Sequence, residues 1–276
     1  MMQTDRFPAG SCDTHVHVFG PQSRYPYAAQ RRYTPEDALL PEYLAMAKTY
    51  GIDRTVLSQP STYGTDNTAL LDALIEARPA FRGIAMVDES IDDAELERFH
   101  KAGVRALRTQ FKKDGIGKPL DCEGIRRMAH RIAPLGWHVE IHLDVGQIQD
   151  VDARFADYPV DVVIEHMGHM PASMGVHAPG FQSLLRLVGA EGGWVKLSGA
   201  YINASLPYPY ADVRPFVEAL VNAAPSRAVW GSNWPHPHTD PAPDNGQLCG
   251  LVREWFPTAE MRQRILVDNP ARLYDF

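Results

Sequence analysis

Short runs of apolar and β-branched residues recur along this chain with helix-like segments between them, and that alternation constrains its fold more than any other feature. The runs lie near 12–18, 54–59, 82–87, 104–109, 137–143, 160–165, 194–198 and 227–231. Segments of helical periodicity lie near 40–50, 66–78, 92–102, 122–134, 147–156, 179–190, 211–223 and 258–267. Runs such as VDVVIEH (160–166) and RTVLSQ (54–59) suit strands buried on both faces. Asp66 and Thr258 stand where helix N-caps are expected, and Gly51, Gly103 and Gly136 stand between helix and strand, where C-caps are expected. Eight strands alternating with eight helices point to parallel βαβ units. An open doubly wound sheet usually carries a Gly-rich phosphate turn after its first strand, and HVFGPQSRYPY has none. The expected fold is therefore a single α/β domain over 1–276, a closed (β/α)8 TIM-like barrel, for which about 250 residues is a typical length. The Pro-rich segments 205–215 and 235–244 read as active-face loops.

Composition narrows the partners. A formal net charge of -7 argues against nucleic acid as the main partner. No stretch approaches the ~18 apolar residues that span a bilayer, and MMQTDRFPAG lacks the apolar core of a secretory signal. Cys12, Cys122 and Cys249 are too few and too far apart for a disulfide scaffold and read as small buried hydrophobes. A reduced cytoplasm and a small-molecule ligand are expected, with self-association left open. Aromatic residues in 201–216 and 234–256 could line a pocket, a subunit contact or a lid.

Catalytic groups of such barrels lie at the C-terminal ends of the strands. That filter selects His15 and His17 on the first strand, spaced so that both point to one side. It also selects Ser58, Gln59 and Ser61 at the second strand, Arg108 at the fourth, His142 at the fifth, His166 at the sixth and Asn233 at the eighth. Four histidines from three strand ends converging on one mouth is far more specific than any one of them. Arg108 can equally tie the mouth together through an ion pair, and His100, His130, His138 and His177 read as ordinary structural or surface residues.

DTHVHVFGP, QPSTYGTDN, IEHMGH, VWGSNWPHP and the terminal DNPARLYDF resemble, in order and spacing, the amidohydrolase superfamily. More narrowly, they are similar to the branch that contains 2-pyrone-4,6-dicarboxylate lactonase and related sugar-acid lactone enzymes. The resemblance implies a TIM-like barrel acting on a lactone or carboxylate. It implies His15, His17, His166 and Asn233 as catalytic, with His166 polarising the lactone carbonyl. It places Tyr33, Ser61, Tyr63, Arg108 and His142 against substrate, Arg108 on its carboxylate.

Three departures stand out. Asn233 replaces the aspartate that takes a proton from water, and an amide is no base. His142 replaces a tyrosine. KLSGAYINAS lacks the second carboxylate-binding arginine, Ile202 lying near that position, and Lys112 and Lys113 could compensate only without the arginine fork. No cofactor is expected; the alternative is zinc on His15, His17 and His142. Lactone hydrolysis is the first expectation and isomerisation of an aldarolactone the second, since a substrate hydroxyl can replace water as nucleophile. A ligand-binding barrel that has lost its base, and a metal-dependent decarboxylase, are the remaining alternatives.

Overall fold

The computed structural model describes residues 6–111 and 121–276. Eight strands form one sheet in sequential order: β1 (Cys12–Val16), β2 (Arg54–Ser58), β3 (Phe81–Ala85), β4 (Val104–Gln110), β5 (His138–His142), β6 (Val162–Ile164), β7 (Gly193–Ser198) and β8 (Ala228–Gly231). Each pairs in parallel with the next. Closure falls just beyond β8. Asn233 N–H donates to the His15 carbonyl at 2.9 Å, and His17 N–H donates to the Trp234 carbonyl at 2.8 Å. Gly231 permits this approach, since a Cβ there would lie 2.6 Å from the Cβ of His15. The result is the expected (β/α)8 barrel.

The helices on the outside are α1 (Leu40–Tyr50), α2 (Thr68–Glu76), α3 (Asp93–Ala102), α4 (Cys122–Ile132), α5 (Val151–Phe155), α6 (Pro179–Gly189), α8 (Arg214–Ala223), α9 (Asn245–Trp255) and α10 (Ala259–Gln263). A short α7 (Ala200–Asn203) follows β7, and α11 (Asn269–Tyr274) ends the chain. Gly51 and Gly103 end α1 and α3 in the left-handed conformation, as the sequence suggests. The Thr258 hydroxyl caps α10. Asp66 serves one residue before the cap, its carboxylate accepting from Thr68 N.

Two helices depart from expectation. The segment expected over 147–156 shortens to α5. The segment 245–255, expected as loop, is helical: Asp244 caps it, and Leu248, Leu251, Val252 and Trp255 form its buried stripe. Trp234 and Trp255 are accordingly core residues and not an exposed lid. No helix among the described residues is long and apolar enough to cross a membrane.

The barrel interior is layered. Its lower end is apolar, built from Cys12, Val56, Ile84, Ala106, Val163, Trp194 and Val229, and closed from below by Leu273 and Tyr274 of α11. Strict alternation from Cys12 would turn His15 and His17 outward. The β1–β2 pairing runs Cys12↔Arg54 and Asp13↔Thr55, then Val16↔Leu57, so β1 carries one extra residue. This bulge puts Val16 into the core under the helices and returns both histidines to the interior.

Candidate active site

Above the apolar layer the interior becomes polar. Lys196 and Glu140 are wholly buried and paired at 2.5 Å. Glu140 also accepts from the Tyr274 hydroxyl at 2.7 Å and lies 3.2 Å from His138 Nε2. One level up, Arg108 grips Glu165 through two parallel bonds, Nε to Oε1 at 2.7 Å and Nη2 to Oε2 at 2.8 Å. Arg108 Nη1 donates to the Gln59 carbonyl at 3.3 Å. The sequence reading gave Arg108 to substrate; its first partner is Glu165, which that reading passed over. Five guanidinium hydrogens less these three bonds leave the Nη1/Nη2 edge with donors to spare.

The histidines converge on this pair. Ring centroids of His15 lie 4.8 Å from His17 and 4.7 Å from His166, and His142 lies 5.6 Å from His166. His142 Nδ1 is 3.3 Å from Glu165 Oε2. His17 Nδ1 donates to the Ser58 carbonyl at 2.7 Å, which leaves Nε2 as a lone pair. His166 Nδ1 pairs with Ser198 Oγ at 2.8 Å. His166 sits at φ 50°, a strained backbone held by Asn203 Nδ2, which donates to its carbonyl at 2.9 Å.

Burial keeps His15, His17 and His166 neutral. It pushes His17 down to about 3, with the Arg108 charge acting in the same direction. Burial and the Lys196 ammonium hold His15 well below the ordinary histidine value, and burial does the same to His166. Burial alone would raise Glu165, but the Arg108 charge, the neighbouring histidines and the hydrogen bonds to Arg108 and His142 together outweigh it and keep the carboxylate well below its usual range.

A cavity of about 430 Å³ opens over this floor. His17, His142 and His166 reach it, with Tyr33, Ser61, Arg108 and Asn233. His15 lies deeper, beneath these rings. Tyr63 does not line the cavity: its ring packs against Phe19 and Tyr27, and its hydroxyl accepts from Gly20 N at 2.8 Å. Ile202 forms an apolar wall, while Arg32, His169, Tyr201 and His238 are lining residues that the strand-end filter misses because they come from loops and α7. Lys112 and Lys113 lie outside the described residues. Asn233 Nδ2 donates to the Tyr201 hydroxyl at 2.7 Å, and Tyr201 pairs with His236 at 3.1 Å.

A group of side chains that could hold a metal ion is present, but it is not the set His15, His17 and His142. The ligand atoms that converge, within 4.8 Å, belong to His15, Glu165 and His166. A divalent cation needs free lone pairs and uncompensated negative charge. Both Glu165 oxygens are held by Arg108, and His15 Nδ1 faces the Lys196 ammonium at 3.3 Å. With Arg108 and Lys196 already matching Glu165 and Glu140, these residues do not fit a divalent metal.

Among the curated relatives that span nearly the whole chain, three bear on the site. One is the 2-pyrone-4,6-dicarboxylate hydrolase of Comamonas testosteroni, 38% identical over 98% of this chain and 91% of its own. A 4-sulfomuconolactone hydrolase of Rhizobium radiobacter is 37% identical, covering 97% of this chain and 90% of its own. The D-galactarolactone isomerase of Agrobacterium fabrum is 29% identical over 97% of this chain and 92% of its own. The family described as amidohydrolase matches residues 12–276, from the bulged first strand to the last residue. By that match and by these identities, the chain belongs to the amidohydrolase family.

Proposed function

We propose that the protein hydrolyses the ring ester of a lactone that also bears a carboxylate or a similar anionic group, and that it does so without a metal. The observation that carries this reading is the set of buried, neutral imidazoles beside a doubly bonded Arg108–Glu165 pair on the cavity floor. The names of the hydrolase relatives support the same chemistry.

In this reading the lactone carbonyl lies against His166, whose Nδ1 accepts from Ser198, so that Nε2–H points to the carbonyl oxygen. Each well-placed donor to a forming oxyanion contributes roughly 3–4 kcal/mol. The unused edge of Arg108 receives the substrate anion, and Tyr33 and Ser61 bound the ring. The proton of the attacking water goes to the lone pair of His17 Nε2, which hands it to the ring oxygen as the acyl C–O bond breaks. Negative charge growing on the substrate raises the basicity of that nitrogen as the reaction proceeds. Asn233 orients the water without taking its proton.

Isomerisation is the second reading, favoured by Asn233 itself. A carboxamide committed to Tyr201 activates water poorly, and a substrate hydroxyl held near the carbonyl has an effective molarity of about 10⁵ M or more. One relative is named as such an isomerase.

Proton NMR of a lactone panel decides between ring opening and ring exchange. Ring opening of an anionic lactone by protein free of bound metal is the expected result. Tight binding of a lactone with no turnover would leave a binding barrel instead. One zinc per chain, with activity lost on chelation, would end the metal-independent reading.

A further inference from the structure

His15 touches no cavity wall, yet its Nε2 is buried with no hydrogen-bond partner among the described residues, in the group it forms with Glu165 and His166. Whether that nitrogen offers a hydrogen or a lone pair depends on what its other nitrogen does. The answer lies on β7. Lys196 Nζ is 3.3 Å from His15 Nδ1. An ammonium has three hydrogens and no lone pair, so this contact exists only if Nδ1 accepts. A neutral imidazole accepting at Nδ1 carries its hydrogen on Nε2.

We propose that Lys196 is a positioning residue that locks His15 as a hydrogen-bond donor toward the Glu165–His166 floor beneath the cavity, and that Glu140 and Tyr274 hold the ammonium on Nδ1. The proposal rests on the lactone reading for its kinetic part. Lys196 is wholly buried, and Glu140 takes its second hydrogen at 2.5 Å. The other Glu140 oxygen is fixed by the Tyr274 hydroxyl at 2.7 Å, and Tyr274 comes from the C-terminal helix that closes the opposite end of the barrel. The ammonium therefore has little freedom to leave the imidazole.

The neighbouring ring makes the arrangement purposeful. His17, two positions along, gives its Nδ1 hydrogen to the Ser58 carbonyl and so presents a lone pair at Nε2. One strand thus supplies a donor and an acceptor to a single small space, each set by a partner whose own hydrogen-bonding polarity cannot reverse. A buried ion pair kept for packing alone would tolerate apolar replacement at little cost.

The test begins with the free protein labelled with ¹⁵N-histidine. Long-range proton–nitrogen correlation spectra are expected to show His15 with hydrogen on Nε2 and His17 with hydrogen on Nδ1. Lys196→Met combined with Glu140→Leu removes the pair without stranding a charge. In that protein His15 should populate both tautomers, with kcat lower by about 10²-fold and KM changed by less than about threefold. Lys196→Arg should keep the tautomer and most of kcat. Finding the wild-type His15 hydrogen on Nδ1 overturns the proposal without any variant having to fold. An unchanged tautomer in the folded double variant overturns it as well. The spectrum needs no substrate, so an inactive protein with the expected tautomers refutes the lactone reading alone. A lactone hydrolase with the other His15 tautomer refutes only the role of Lys196.

Discussion

Glu165 is enclosed by Arg108, His142 and His166, and its charge is matched only because the guanidinium meets it through two bonds. Removing one partner of such a buried pair strands the other. Glu165→Gln is expected to lower stability by about 3–5 kcal/mol, read as a shift of the denaturant midpoint at unchanged slope; a neutral effect would show the pair to be hydrated. At Asn233 the expected change is in product and not in stability. Asn233→Asp should raise ring opening relative to ring exchange, followed by proton NMR, and an unaltered ratio would take this side chain out of the chemistry. The histidines were legible because histidine is uncommon and each of the four ends a strand. Glu165 was not, because one acidic residue in VIEHMGH looks like any strand-end polar residue until Arg108 is seen across the barrel. Tyr63 was misplaced for the converse reason: sequence gives its neighbourhood in the loop after β2, not the direction its ring takes.

At the level of elements, α9 shows what sequence periodicity reveals and what it hides. Leu248, Leu251, Val252 and Trp255 have helical spacing, but Gly246 and Gly250 dilute the signal and the preceding prolines extend the apparent loop. The helix matters to the site because Asn245, in its first turn, accepts from His236 Nε2 at 2.9 Å, and His236 in turn holds Tyr201 and Asn233. Asp244→Ala removes the cap on Gln247 N and should cost about 1 kcal/mol. Thermal unfolding measures that cost, and a larger loss in kcat than in stability would trace the effect along this chain of bonds. The strands were read more faithfully than the helices, since runs buried on both faces leave little choice of periodicity. The last helix, α11, escaped notice because its role is to fill the lower end of the barrel, which no local pattern announces.

The molecule as a whole should be acid-labile. His15, His17 and His166 titrate far below the unfolded value of about 6.5. Above that pH neither state binds the protons and stability is unaffected. As pH falls below it the unfolded chain takes them up and the folded one does not, so each ring costs about 1.4 kcal/mol per pH unit. For His17 the loss continues down to about 3. Asp13 acts the other way: burial raises it to about 6, and protonating it in the folded state relieves strain as pH falls. Three groups against one give a net decline. The melting temperature is expected to drop between pH 6.5 and pH 5, and His17→Asn should make that drop shallower; a flat profile would mean the rings are hydrated.

The bulge in β1 carries one more consequence. Because a single surplus residue decides which way His15 and His17 face, a pairing of β1 that took Thr14 into strict alternation, with no bulge, would swivel both rings out among the helices and swing Val16 into their place. An inert barrel is thus one residue of strand register away from a working one, with every catalytic side chain still encoded.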